Sequence, residues 1–317
     1  MKIVVTGGAG FIGSEICHQL VLNGHRVVVI DSLTYASNLE SLSTIWEEIE
    51  FVNLDIRDSA GLNKIFAKSH LDAIINCAAE THVDNSILNP QIFAETNVIG
   101  TVNLLEQARK LDVKLLQVST DEVYGSIETG EFSESDPYNP SSPYSSSKAS
   151  AELILSSYVK TFGINALGVR CSNNYGVRQH SEKLIPSFIS RLSKDIKVPI
   201  YGEGTNVREW INVQDSVSGI LRVLESGAVG EFYNVSTGYF LSNIELTKKL
   251  LVIFNLDESM IEFVQDRAGH DFRYAISSEK IRNELNWKPK VEFDTGLKST
   301  VEWYLDNPNY MRNPERG

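Results

Sequence analysis

The stretch Lys2-Ile3-Val4-Val5-Thr6-Gly7-Gly8-Ala9-Gly10-Phe11-Ile12-Gly13 decides the fold. A β-branched apolar run stops on glycines at 7, 10 and 13, and a helical pattern opens directly behind them. Strand, glycine turn and helix in that order make a phosphate-cradling loop. Gly7 permits the tight turn, Gly10 lets a pyrophosphate approach the backbone, and Gly13 lets the helix pack on the sheet. Phe11 and Ile12 belong to the same loop, and the helix that starts there offers unpaired N–H groups and a positive dipole end.

Working outward, the next apolar run ends on Asp31, where this fingerprint carries its ribose-binding acid. A carboxylate there accepts hydrogen bonds from ribose hydroxyls and repels a 2′-phosphate, so NAD is expected rather than NADP. Further strands are expected at 49–53, 73–78, 114–119 and 166–171, and helices at 15–22, 62–68, 92–111 and 143–162. The strands are continuously apolar and alternate with helices, which implies a parallel sheet covered on both faces. The expected fold is α/β, a Rossmann-type doubly wound parallel sheet with a smaller, interleaved C-terminal substrate domain. After Cys171 the rhythm loosens into Asn-, Gly- and Pro-rich loops, with helices expected at 184–193, 215–225, 243–254 and 278–285. The expected division is residues 1–171, with a returning segment near 207–237, against 172–317.

Composition removes several classes of function. Lys and Arg number 29 against 41 Asp and Glu, a net charge of −12 that argues against a nucleic-acid surface. Cys17, Cys77 and Cys171 lie far apart with no CxxC pair, so neither a disulfide framework nor a cysteine zinc site is expected, and no metal. The N-terminal run breaks into glycines too early for a signal peptide, and no apolar stretch approaches the roughly 20 residues of a membrane span. A cytoplasmic protein without membrane or nucleic-acid partners is expected.

In Tyr144-Ser145-Ser146-Ser147-Lys148 a phenol and an ammonium stand at i and i+4 on one helix face. A cation one turn away stabilises a tyrosinate and lowers the phenol pKa. An isolated pair of this kind is more often a packed tyrosine; behind a dinucleotide loop, with Ser119-Thr120 at a strand end, it reads as an acid–base pair. Asp121-Glu122 follows at the carboxyl edge of the sheet, where open α/β folds place ligands.

These motifs resemble the extended short-chain dehydrogenase/reductases. With STDEVYG, SSPYSSSKAS, CSNNYG, EKLIP, PIYGEG, VREW and RAGHDFRYA, they resemble more narrowly the nucleotide-diphosphate-glucose 4,6-dehydratases, the dTDP-glucose branch most of all. The resemblance covers residues 1 to about 304. It implies a 4-keto-6-deoxy sugar as product, made by C4 oxidation, elimination of water across C5 and C6, and hydride return to C6. Tyr144 would take the C4 hydroxyl proton, Thr120 would hydrogen-bond that oxygen, and Lys148 would hold the nicotinamide ribose. Glu122 would remove the C5 proton and Asp121, protonated, would donate to the departing hydroxyl.

The resemblance also places Asp55, Ile56 and Ala78 at the cofactor and Asn97 as a buried polar residue behind the site. Glu80, Thr81 and His82 would border the sugar. Asn173, Lys183 and Arg208 would meet the diphosphate, Leu184 would also contact the substrate, Pro199 and Tyr201 would flank the base, and Asn234, Arg267, His270 and Tyr274 would close the far end. Departures from the dTDP-glucose pattern are Thr81 for Ser, Asn85 for Arg, and Val177-Arg178 for Pro and an aromatic. Three alternatives stay open: UDP-glucose dehydration, a 4-epimerase or decarboxylase, and a non-catalytic NAD-binding scaffold. A homodimer through the helices at 92–111 and 143–162 is expected from the resemblance.

Overall fold

The computed structural model describes residues 1–67, 70–266 and 271–311. Its first half runs β1 (Lys2–Thr6), α1 (Phe11–Leu22), β2 (Arg26–Asp31), β3 (Ile49–Asn53), α2 (Ser59–Phe66) and β4 (Ala73–Asn76). Then come α3 (Val83–Leu88), α4 (Pro90–Phe93), α5 (Gly100–Leu111), β5 (Lys114–Thr120), α6 (Pro143–Phe162) and β6 (Ala166–Cys171). The second half holds β7 (Asn173–Tyr175), α7 (Leu184–Leu192), β8 (Val198–Tyr201), β9 (Val207–Asn212), α8 (Val213–Ser226) and β10 (Phe232–Val235). It ends with β11 (Phe240–Ser242), α9 (Asn243–Phe254), β12 (Ile261–Val264), α10 (Glu279–Leu285) and α11 (Phe293–Asp306).

Seven parallel strands form the main sheet in the order β10-β6-β5-β4-β1-β2-β3. Strand alternation sends Ile3, Val5, Val27, Val29 and Ile75 to one core layer and Val4, Val28, Ile30 and Ile74 to the other. Both layers are closed by helices, which is why the strands read as unbroken apolar runs. The order reverses between β1 and β4, and the glycine turn after β1 opens at that switch point, where such folds hold ligands.

The chain leaves the sheet after β6 and returns only through α8 and β10. Within the returning segment, β9 does not join the main sheet. It pairs with β7 and β11 in a separate three-stranded sheet. β8 and β12 make a two-stranded parallel pair, and a third core packs α7, α9 and α11 around these pieces. Here α11 was not anticipated. Its apolar residues Phe293, Leu297, Val301 and Tyr304 fall at helical spacing, but Gly296 and several β-branched residues hide the pattern. No described helix is long and apolar enough to cross a membrane.

The helix expected over 92–111 is interrupted. Between α4 and α5, Ala94–Ile99 forms a π-helical turn. Such single wide turns commonly mark functional sites, and this one carries Asn97.

Candidate active site

A cleft of about 320 Å³ runs along the carboxyl edge of the main sheet, and it is lined by both halves of the chain. On one side stand Gly7, Gly10, Phe11, Ile12, Gly13, Asp31, Asp55, Ile56 and Ala78. Gly7 has φ +67°, and a Cβ there would lie 2.7 Å from the Ala78 nitrogen, so both backbone angle and space demand glycine. At Gly13 a Cβ would run into the Gly7 carbonyl. Gly10 N-caps α1 without a side chain, so the first turn keeps its N–H groups for a ligand.

Asp31 is oriented by its own chain. Oδ2 accepts from the Ala9 N–H at 2.9 Å, and Oδ1 accepts from the Leu33 N–H at 2.8 Å and the Ser37 hydroxyl at 2.7 Å. A carboxylate has about four acceptor positions, so the fixed group still has capacity for a ribose hydroxyl. Asp55 is held in place by the Arg57 guanidinium at 2.7 Å. Glycine-only approach, an uncapped helix start and a pinned carboxylate together fit a dinucleotide with a free 2′-hydroxyl.

Farther along the cleft, β5 delivers Thr120 and a one-turn 3₁₀ helix carries Asp121 and Glu122. These three and Tyr144 line the cleft. The Thr120 hydroxyl donates to Asp121 Oδ1 at 3.1 Å, while Oδ2, also buried, has no hydrogen-bond partner among the described residues. Burial first, then the negative charges of Glu122 and Glu209, pushes the Asp121 carboxyl well above the usual carboxylate range. The neutral form of Asp121 is thereby favoured, and one of its oxygens meets no hydrogen-bond partner among the described residues: both are features of a proton donor.

Tyr144 and Lys148 occupy successive turns of α6, whose start is fixed by Pro143 and a Ser142/Ser145 capping box. The expected effect of Lys148 on the phenol is not found. Lys148 Nζ donates to the Val118 carbonyl at 2.7 Å and does not line the cleft. Burial, followed by the Glu122 charge, pushes the Tyr144 phenol above its ordinary value, while the neighbouring Thr120 hydroxyl pulls it down. Burial also lowers Lys148 to about 8.

Behind the helix, Asn97 clamps the Glu80 peptide. Its carbonyl accepts from the Glu80 N–H at 2.9 Å, and its amide donates to the Glu80 carbonyl at 3.0 Å and to Ser147 Oγ at 2.8 Å. One turn beyond Lys148, the buried Glu152 accepts from the Ser119 hydroxyl and from Arg170 Nε at 2.9 Å. Glu152 ties β5, β6 and α6 together. It was not anticipated, although its i+8 spacing from Tyr144 was visible.

The sugar-side residues divide. Glu80, Thr81, Asn173 and Lys183 line the cleft. His82 sits at its margin as the N-cap of α3, 3.9 Å from Glu182, and Leu184 lies behind Lys183 against the third core. Arg208 and Tyr274 form a neighbouring buried cluster, not part of the cleft lining. The guanidinium lies 4.4 Å from the ring centre and donates to the Asp271 carbonyl at 3.0 Å, and the phenol donates to Asp271 Oδ2 at 2.6 Å. Pro199 and Tyr201 lie on β8, also outside the lining. Arg267 and His270 lie outside the described residues.

Asn234 lies outside the cleft lining. It sits in β10 opposite Arg170, fully buried, with its carbonyl accepting from the Tyr124 hydroxyl at 3.0 Å and its amide donating to the Phe132 carbonyl. Sheet register turns it into the protein and away from the cleft. Unanticipated lining residues include Ser37, Asn174, Gln179, His180 and Glu182. Their neighbours in Asn-Asn-Tyr-Gly and Glu-Lys-Leu-Ile-Pro were the available signal.

A GDP-mannose 4,6 dehydratase family model matches residues 4–300. A dTDP-glucose 4,6-dehydratase of Mycobacterium tuberculosis is 43% identical, with 98% of this chain and 96% of that protein covered. A low-salt glycan biosynthesis protein of Haloferax volcanii, Agl12, is 46% identical over 96% of this chain and 99% of its own. The crystal structure of DesIV, a dTDP-glucose 4,6-dehydratase of Streptomyces venezuelae with NAD bound, superposes with a TM-score of 0.96 at 44% identity, covering 98% of this chain and 99% of DesIV. With a match that spans both halves of the cleft, the chain belongs to the GDP-mannose 4,6-dehydratase family of NAD-dependent nucleotide-sugar enzymes.

Proposed function

We propose that this protein is an NAD-dependent hydro-lyase that converts dTDP-glucose to its 4-keto-6-deoxy product. The observation that carries the reading is the buried Asp121 carboxyl, its neutral form favoured by burial, in one cleft with Glu122 and Tyr144 at the end of β5. Oxidation at C4 alone needs only a tyrosine base, whereas loss of water across C5 and C6 needs both an acid and a second base. When bound, NAD would supply a reversible hydride store. The glycine loop, Asp31 and the first turn of α1 would hold it.

The side chains then have separate tasks. Tyr144 takes the C4 hydroxyl proton and Thr120 hydrogen-bonds that oxygen. The C4 ketone acidifies C5–H, Glu122 takes that proton, and Asp121 hands its own to the C6 hydroxyl as water departs. Residues 1–171 with the returning α8 and β10 serve the cofactor, and the rest of 172–317 serves the sugar nucleotide, Lys183 meeting its diphosphate.

The chain works as a cytoplasmic homodimer joined through α5 and α6. Ile99 at the start of α5 and Leu153 on α6 are 53% and 55% exposed, which supports an apolar contact there.

Incubation with dTDP-, UDP-, CDP- and GDP-glucose in deuterated water tests the reading. The expected result is fastest turnover of dTDP-glucose, loss of water and one deuterium at C5. A C4-inverted sugar without deuterium would overturn it in favour of epimerisation. No turnover of any of the four would favour a binding protein, and a UDP-glucose preference would move the base assignment.

A further inference from the structure

Residues 176–183, between β7 and α7, touch three separate parts of the cofactor half. Arg178 Nη2 is ion-paired with Glu15 Oε2 on α1. The His180 ring meets the Tyr35 ring edge-on at 5.8 Å, in the loop that follows Asp31. Glu182 lies 3.9 Å from His82. Gln179, His180, Glu182 and Lys183 line the same cleft as Gly10, Gly13 and Ser37. The segment is therefore a strap over the dinucleotide cleft, attached on the glycine-loop side, on the Asp31 side and on the sugar side.

The attachments are unequal. Tyr35 is 41% exposed, so its ring contact with His180 is open to water. The Glu15–Arg178 pair is better shielded, Glu15 buried and Arg178 partly so, the side chains 8% and 16% exposed. Glu15 has both oxygens engaged, Oε1 accepting from Gln19 Nε2 at 3.0 Å and Oε2 from Arg178. Arg178 reaches it from a left-handed backbone, φ +67°, a conformation non-glycine residues rarely adopt. Its neighbour is held from behind, with the Tyr304 hydroxyl on α11 donating to the Gln179 carbonyl at 2.7 Å. Breaking a shielded pair by removing one partner leaves the other charge uncompensated, so this attachment resists opening more than the ring contact does.

We propose that Glu15 and Arg178 are a positioning pair that fastens the strap over the cofactor cleft and sets how long the bound dinucleotide stays. The pair joins the helix whose N-terminus faces the pyrophosphate to the segment that covers it. A reaction that takes up and returns the same hydride gains nothing from releasing its cofactor between turnovers. The proposal rests on the dinucleotide reading of the cleft.

The test is release of labelled NAD from the holoenzyme into an excess of unlabelled NAD, followed by filtration. Glu15→Gln, Arg178→Lys and the charge-swapped double variant Glu15→Arg/Arg178→Glu are compared with wild type, each shown folded by its melting curve. The expected result is release about tenfold faster in Glu15→Gln, a smaller increase in Arg178→Lys, and recovery towards wild type in the swap. A general loss of stability would not be rescued by exchanging the charges. Unchanged release in the folded single variants, or a shift only in the sugar-nucleotide KM, overturns the proposal while leaving the dinucleotide reading intact. A wild-type protein that retains no labelled NAD overturns both.

Discussion

Asp121 and Glu122 are adjacent in sequence yet take opposite roles because their surroundings differ. Asp121 is buried beside Thr120, where burial favours its neutral form, while Glu122 is half-buried in the cleft wall. Glu122→Gln should therefore leave C4 oxidation running and stop elimination, with product formation reduced about 10²- to 10⁴-fold. Absorbance of bound NADH at 340 nm should build up; turnover near wild type would refute the base assignment. Lys148 gives a pH test. Its folded-state pKa, about 8, lies below its ordinary value of 10.5. The neutral form is thus the better-tolerated one, and stability falls as pH drops from 10.5 through 8 and levels off below. Lys148→Met should relieve that penalty, with its stability gain larger at pH 7 than at pH 10 by about 2 kcal/mol in urea unfolding. A gain independent of pH would count against it. At this scale the backbone demands of the glycine loop were legible because they are encoded within a few residues. The surroundings of Asn234, Arg208 and Tyr274 were not, because strand register and packing of the second half decide which way they face.

Elements with their own punctuation were readable to the residue. Pro143 and the Ser142 capping box start α6 and Gly163 ends it in the left-handed conformation. Ser242 and Glu245 start α9 and Asn255 ends it. The π-turn at Ala94–Ile99 has no such signature, since its wide turn answers to tertiary demands: it sets Asn97 against the Glu80 peptide. Asn97→Ala removes the partners of a peptide N–H and a carbonyl at once, and should cost about 1–3 kcal/mol. Denaturant unfolding checks this. A loss below about 0.5 kcal/mol would mean that the clamp carries no weight. Activity should fall with it, because the Glu80 peptide is part of the cleft wall.

For the molecule as a whole, a net charge of −12 seemed at odds with two ligands that each carry a diphosphate. The cleft resolves this locally, with uncharged N–H groups at α1 on one side and Lys183 on the other, so net charge bears on long-range steering rather than on the pocket. The proposed dimer belongs to this scale too. Ile99→Glu with Leu153→Glu puts like charges on both sides of a twofold contact, and sedimentation should shift from dimer to monomer at micromolar concentration. A dimer that survives the double substitution would place the contact elsewhere. The change of rhythm after Cys171 coincides with the point where the chain leaves the main sheet; the separate sheet of β7, β9 and β11 was not legible, because the three-residue strands β7 and β11 that flank β9 leave too little periodicity to read.

The return of β10 to the main sheet has a consequence for biosynthesis. β6 ends at Cys171, and the strand that pairs with its outer edge begins only at Phe232. At roughly 5–20 residues per second, a ribosome needs about 3–12 s to make the intervening chain. Through that interval the nascent sheet presents an unpaired, apolar edge, the kind that recruits strands from neighbouring chains. The sugar-binding loops are thus embedded between two pieces of one sheet, and the nascent protein passes through an aggregation-prone window whose length is set by the size of that insertion.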